Sequence, residues 1–337
     1  MGNAVTNNEF EELLAPLGPF AKGETIVVAV SGGADSMALS CLAQAWAKAN
    51  ELAIVGLTVD HRLREEGAKE AVQVSRWLGE YNVEHHALVW QDGDAVGQLG
   101  RSPQAAAREA RFNLMVRWCR DNKVANLLVA HHADDQAETF MQRLVRGSGL
   151  DGLAAMQHSM ARDGIKILRP LLSRPKADLL ATCEAFGQAW IEDPSNQDDR
   201  YTRVRLRNLL SALEEEGLDR DRLLNTVAHM QRAKAAIDDA AEYLMRDSVV
   251  VAENGFLTID REVLLAAPDE VVLRCLARCL CQVSGAVYPP RFDSLFLVFE
   301  ALGSTDWSDR TLHGCQMRAR NGSLIISLEA QERQNPW

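Results

Sequence analysis

The stretch Glu24-Thr-Ile-Val-Val-Ala-Val30-Ser31-Gly32-Gly33-Ala34-Asp35-Ser36 decides the fold. Residues 24–30 are a short, apolar, β-branched run that reads as a buried strand. It breaks into two glycines, and a helical pattern follows over 36–49. Such a strand–turn–helix aims successive backbone N–H groups at one point, and the helix dipole adds positive potential there. Gly32 and Gly33 tolerate the close approach this requires, and Ser31 and Ser36 add hydroxyl donors. Asp35 inside an anion cradle calls for a cation, and Mg²⁺ bridging to a pyrophosphate reconciles the charges. The plain alternative is a tight turn with Ser36 as its N-cap. The stretch is neither a Walker A loop, which needs G-K-[ST], nor G-x-G-x-x-G.

Outward from this loop, strands and helices alternate. Strand patterns at 52–60, 83–90 and 126–130 are joined by helical patterns at 66–81, 103–122 and 134–145. Connections of this length imply right-handed crossovers and a parallel sheet with helices on both faces, an α/β fold. Ile165-Lys-Ile-Leu-Arg-Pro170, a helix from Pro175 and Ala189-Trp-Ile-Glu-Asp-Pro194 follow, and the α/β domain is expected to span 1–215. The remainder, 216–337, reads as a helical connector and a small α+β domain. Residues 219–247 form one long helix with Leu223, Leu224, Val227, Met230, Ile237 and Leu244 on a packing face. A hairpin-like 249–259, helical runs at 268–283 and 290–302, and a closing hairpin turning at Asn321-Gly322 complete it.

Composition narrows the class. Of 337 residues, 47% are hydrophobic and 25% charged, as in an ordinary globular protein. No run approaches the ~20 apolar residues of a membrane span. The N-terminus lacks a secretory pattern. Seven irregularly spaced cysteines do not form a disulfide framework, so the expected compartment is the reducing cytoplasm. Cys275, Cys279 and Cys281 read as core thiols rather than a metal site. The net charge of −11 excludes bulk attraction to nucleic acid and leaves local arginine clusters to do that work.

Further blocks follow the loop in order. Val59-Asp60-His61-Arg62 ends the second strand at the carboxyl edge, where parallel sheets bind ligands. Arg108 and Arg111 lie on one helix. His131-His132-Ala-Asp134-Asp135-Gln-Ala-Glu138-Thr starts the next, and Arg146-Gly147-Ser-Gly149-Leu ends it. Asp193-Pro-Ser-Asn196 precedes Arg203-Val-Arg205-Leu-Arg207. The loop resembles the pyrophosphate-binding loop of the ATP pyrophosphatases, the PP-loop family with its adenine nucleotide alpha-hydrolase-like fold. The whole ordered set, over about 24–210, resembles the tRNA(Ile)-lysidine synthases. Val204 departs from that family, which usually has Asn there.

The resemblance implies a ligase that activates C2 of the wobble cytidine in the CAU anticodon of an isoleucine tRNA with ATP. Free L-lysine then displaces AMP to give lysidine. It implies ATP contacts at Ser31, Gly32, Gly33, Ala34, Asp35, Ser36, Asp60 and His61, with Asp35 as the Mg²⁺ ligand. It places catalysis at Asp35, His131, Asp135 and Glu138. Substrate, tRNA or phosphate contacts fall at Arg108, Arg111, Arg146, Gly147, Gly149, Arg203, Arg205 and Arg207.

Physical reading of these residues leaves specific alternatives. His131, Asp135 and Glu138 share a helix face and suit either a lysine ammonium or Mg²⁺; the plain reading is an N-cap at Asp134 with a solvated acidic face. His132 reads as a core or tautomer-locked histidine. Arg203, Arg205 and Arg207 point together on a strand but spread around a helix, and their plain role is pairing with Asp198, Asp199 and Glu214–Glu216. Arg146 to Leu150 is either a helix C-cap or a loop closing over substrate. Rival functions are a tRNA thiolase, which needs a sulfur-carrying cysteine, and a non-catalytic ATP-binding module.

Overall fold

Ile26, Val27 and Val28 are all fully buried, as expected of a strand covered on both faces. The computed structural model describes residues 2–60, 62, 66–90, 103–192, 202–252, 255–304 and 307–329, with backbone only at 66, 103–108 and 202–204. Two compact units divide the chain, Met1–Ala228 and His229–Trp337.

The first unit runs α1 (Asn7–Leu14), β1 (Thr25–Ala29), α2 (Ala34–Ala49), β2 (Ala53–Asp60), α3 (Glu66–Glu80), β3 (Glu84–Val89) and α4 (Pro103–Asp121). It continues with β4 (Asn126–Leu128), α5 (Ala133–Val145), α6 (Leu150–Leu153), β5 (Ser159–Arg162), β6 (Ile165–Leu168), α7 (Lys176–Phe186) and α8 (Thr202–Glu215). The sheet order is β3-β2-β1-β4-β6-β5. β1, β2, β3, β4 and β6 are parallel. β5 is antiparallel to β6, a pairing the sequence reading did not anticipate. Its hairpin turns at Asp163-Gly164, both at positive φ, the conformation of a two-residue type I′ loop.

Period-two alternation divides the strands between two cores. Ile26, Val28, Leu128 and Leu168 pack with Met37, Leu42, Val74 and Leu179 from α2, α3 and α7. Val27, Leu57, Leu127 and Ile167 pack with Phe112, Met115 and Val116 of α4. Each such buried aliphatic contributes about 1.5–3 kcal/mol. Strand order reverses between β1 and β4, which opens the crevice where parallel sheets hold ligands.

In the second unit, α9 (Arg220–Ser248), which begins in the first, leads to β7 (Val249–Val251), β8 (Leu257–Asp260), α10 (Arg261–Leu265), α11 (Asp269–Ser284) and α12 (Phe292–Leu302). β9 (Arg310–Leu312), β10 (Cys315–Arg320) and β11 (Ser323–Leu328) close it. Its antiparallel sheet has the order β7-β8-β11-β10-β9. The expected long helix, hairpins and helical runs are all present; α10 was not foreseen. Cys275 and Cys279 are core thiols, as read from the sequence, whereas Cys281, read the same way, is only half-buried.

Candidate active site

β1 delivers the chain into the glycine turn, where Gly32 has φ +84°. L-residues are strained there, since Cβ crowds the following carbonyl. A Cβ on Gly32 would also lie 2.9 Å from Ile191 Cδ1 and 3.0 Å from Val74 Cγ2. Conformation and space both demand glycine. Gly32→Ala is expected to cost about 1–2 kcal/mol from backbone strain, and more from displacing Ile191. Urea unfolding of the variant measures it.

Gly33 caps α2 with extended backbone and no side chain, so the first N–H groups of that helix receive no side-chain cap. An uncapped helix N-terminus is a ready site for a phosphate. Ser36 holds the turn from inside. Its Oγ donates to the Gly33 carbonyl (2.9 Å) and accepts from the Ser31 N–H (3.1 Å). Ser36 is buried and Ser31 exposed, and the Ser31 hydroxyl donates to Ser36 Oγ (3.2 Å).

Asp35 opens onto a charged cluster at the start of α5. His132 Nε2 lies 3.5 Å from Asp35 Oδ2 and 3.5 Å from Asp135 Oδ2, and Nδ1 lies 3.5 Å from Asp134 Oδ2. Lys176 Nζ is 3.9 Å from Asp35, and Arg220 Nη1 is 3.5 Å from Asp134. Three helices begin together here. The Ala133 N–H of α5 donates to the Arg174 carbonyl (2.8 Å), and the Lys176 N–H of α7 donates to Asp134 Oδ2 (2.7 Å). The N-cap of α5 is therefore His132 rather than Asp134, which is held inside the first turn.

Burial opposes charge on the His132 ring, but Asp134, Asp35 and Asp135 outweigh it and push its pKa up to about 10. Burial likewise opposes ionisation of Asp35, and the His132 and Lys176 cations hold its pKa below the ordinary value. Asp134 is held far down against burial by His132, the Lys176 N–H and Arg220. His132 is therefore a fixed cation at neutral pH, not a neutral core histidine. A group whose pKa is raised on folding stabilises fully below its unfolded value of ~6.5, and that contribution is lost as pH rises through the folded value. The His132 contribution should decline between ~6.5 and about 10. Imidazole NMR should find the ring doubly protonated throughout the neutral range.

The cations beside Asp35 partly answer its charge, yet Asp35 Oδ1 remains buried without a hydrogen bond among the described residues. That oxygen fits a Mg²⁺ ligand. Among the described residues no group of three His, Cys, Asp or Glu is arranged to hold a metal, so the ion's other ligands would come from substrate phosphate and water.

On the next turn of α5, Glu138 is buried and accepts from Arg207 Nε (3.0 Å) and Nη2 (2.6 Å). Arg207 sits on α8, a helix rather than the strand on which alternate arginines would point together. Its acid is Glu138, not the Glu214–Glu216 run. Arg205 is exposed, Arg111 is half-buried, and Asp60 Oδ1 accepts from the Arg62 N–H (2.9 Å). His131 precedes α5. Arg146 is the C-cap of α5, Gly147 follows with φ +69°, and Gly149 caps α6. His61 and the side chains of Arg108 and Arg203, with Asp198 and Asp199, lie outside the described residues.

Sequence reasoning missed Lys176 and Arg220. One signal existed for Lys176, since a lysine in the first turn of a helix opposes the dipole and asks for a compensating acid.

The PP-loop domain family matches residues 3–213, a span that includes the uncapped turn after β1. The tRNA(Ile)-lysidine synthase of Wolbachia pipientis wMel is 38% identical over 92% of this chain and 72% of its own length. That of Methylobacterium nodulans is 37% identical over 94% of each chain. The solved U34-tRNA thiolase NcsA from Methanococcus maripaludis, with its [4Fe-4S] cluster, shares the fold. Its TM-score is 0.57 at 17% identity, over 67% of this chain and 77% of that one. The chain belongs to the tRNA(Ile)-lysidine synthase family.

Proposed function

We propose that the protein ligates free L-lysine to C2 of the wobble cytidine in a CAU-anticodon isoleucine tRNA, using ATP and releasing AMP and pyrophosphate. The carrying observation is the single His132 Nε2 shared between the loop acid Asp35 and the α5 acid Asp135, each at 3.5 Å. It brings a phosphate cradle and an amine-accepting carboxylate to one point.

The Ser31 hydroxyl and the open N-terminus of α2 bind the polyphosphate, and Lys176 extends that positive surface. Asp35 would hold Mg²⁺, which would supply charge neutralisation for the departing pyrophosphate. Asp135 holds the lysine ammonium and accepts its proton before attack. His132, already protonated, keeps Asp35 ionised and lies between Asp35 and Asp135. Glu138 is occupied by Arg207 and supports the α5 face from beneath. Arg205 and Arg146, both exposed, serve the tRNA backbone together with Arg108, Arg111 and Arg203, with the second unit as a further tRNA contact. The cytoplasm is the compartment this chemistry needs.

The thiolase reading meets a specific obstacle. Cys41, Cys119 and Cys183 are buried, and burial pushes their thiols up to about 11, 12 and 12. Such groups are protonated and poorly reactive. Incubation with ATP, Mg²⁺, labelled lysine and the CAU tRNA should transfer label to RNA, and a uridine at the wobble position should abolish transfer. AMP formation without label in the RNA would defeat the reading.

A further inference from the structure

Arg169, the first residue after β6, is a buried cation with no acid beside it. Only 5% of it is exposed. Its Nη1 donates to the Gln157 carbonyl (2.9 Å), its Nη2 meets Met160 Sδ (3.2 Å), and its Nε has no hydrogen-bond partner among the described residues. Arg174, Arg207 and Arg220 in the same unit all face carboxylates, whereas Arg169 faces none among the described residues. Burial alone pulls its pKa down, to about 10. A buried charge without a counter-charge is costly, so a site of this kind is completed by an anion from outside the protein.

Its place in the fold indicates which anion. Arg169 stands at the carboxyl edge of the sheet, where the Leu168 carbonyl accepts from the Val129 N–H (2.9 Å) just before His131 and His132. Gln136, the neighbour of Asp135 on α5, grips Met156 at both its N–H (2.8 Å) and its carbonyl (2.7 Å). The next residue, Gln157, is the one Arg169 holds. One clasped segment thus ties the Arg169 guanidinium to the turn of α5 that carries Asp135.

We propose that Arg169 receives the α-carboxylate of the incoming amino acid while Asp135 holds the side-chain amine, so that Arg169 makes the enzyme choose an amino acid over a plain diamine. This rests on the lysine-ligating reading above. A nucleotide phosphate shares the anionic chemistry, and the arms of the test separate the two.

The test compares L-lysine with cadaverine, which keeps the reacting amine and lacks the carboxylate, in wild type and Arg169→Gln. Wild type should favour L-lysine by about 100-fold in kcat/KM, the scale of a buried, hydrogen-bonded charge pair. In Arg169→Gln, L-lysine should fall to the cadaverine level, while cadaverine changes less than threefold. Arg169→Lys should retain a reduced preference, and it carries the comparison if the glutamine variant does not fold. Equal loss for both amines would overturn the proposal and leave Arg169 as a pin for residues 156–160. A raised KM for ATP with the lysine preference intact would assign the guanidinium to phosphate and also overturn it. If wild type adenylates no tRNA at all, the function itself fails, an outcome distinct from either.

Discussion

Asp35→Ala should reduce ATP cleavage to AMP and pyrophosphate by at least about 10²–10³-fold, the effect of losing one charge-stabilising group at a reacting centre. Asp35 is the carboxylate at the mouth of the uncapped helix, with one oxygen against His132 and the other buried without a partner among the described residues. The fold should survive, because Asp134 and Asp135 still surround His132 and Gly32 keeps the turn. Pyrophosphate release from ATP and tRNA measures the loss, and circular dichroism checks the fold. Pyrophosphate formation at the wild-type rate would remove Asp35 from the reaction. Asp35→Asn keeps the shape without the charge and should fail almost as completely.

The second large effect separates the two half-reactions. Asp135→Asn should slow amine transfer by about 10²–10⁴-fold, the range for a general base, while changing adenylation much less. An adenylated tRNA should then accumulate in single-turnover assays that follow labelled AMP on RNA. Equal slowing of both steps would mean that Asp135 acts through the shared His132 nitrogen on the nucleotide side. Glu138 is a poorer probe, since its removal strands Arg207 beside a buried surface.

The loop was legible in the sequence because its signal is local. Two glycines after an apolar run specify a turn and the helix start that follows, and Asp35 and Ser36 are fixed by their place in it. The α5 residues were legible for the same reason, through helical spacing. What escaped depends on topology. Lys176 reaches Asp35 only because α7 packs beside α2, and Arg220 reaches Asp134 from a helix whose sequence reads as packing and nothing more. His132 looked bland because its meaning lies in three acids, one of them on another element. Arg207 found its partner on α5 rather than in the acidic runs near it in the chain. β5 escaped because its hairpin is short and its residues are largely exposed.

The charged cluster also has a sum. Asp35, Asp134 and Asp135 stand against His132, Lys176 and Arg220, and the total is zero. An electroneutral cluster casts little field at a distance, so it does not draw in polyanions from afar. On the function proposed above, recognition of the nucleotide would be short-ranged and directional, made by N–H groups at contact, and nearly indifferent to ionic strength. Recognition of the tRNA, which the proposed function gives to exposed arginines on an otherwise acidic protein, would be the salt-sensitive half. Ionic strength therefore acts as a selective handle that loosens one substrate and spares the other.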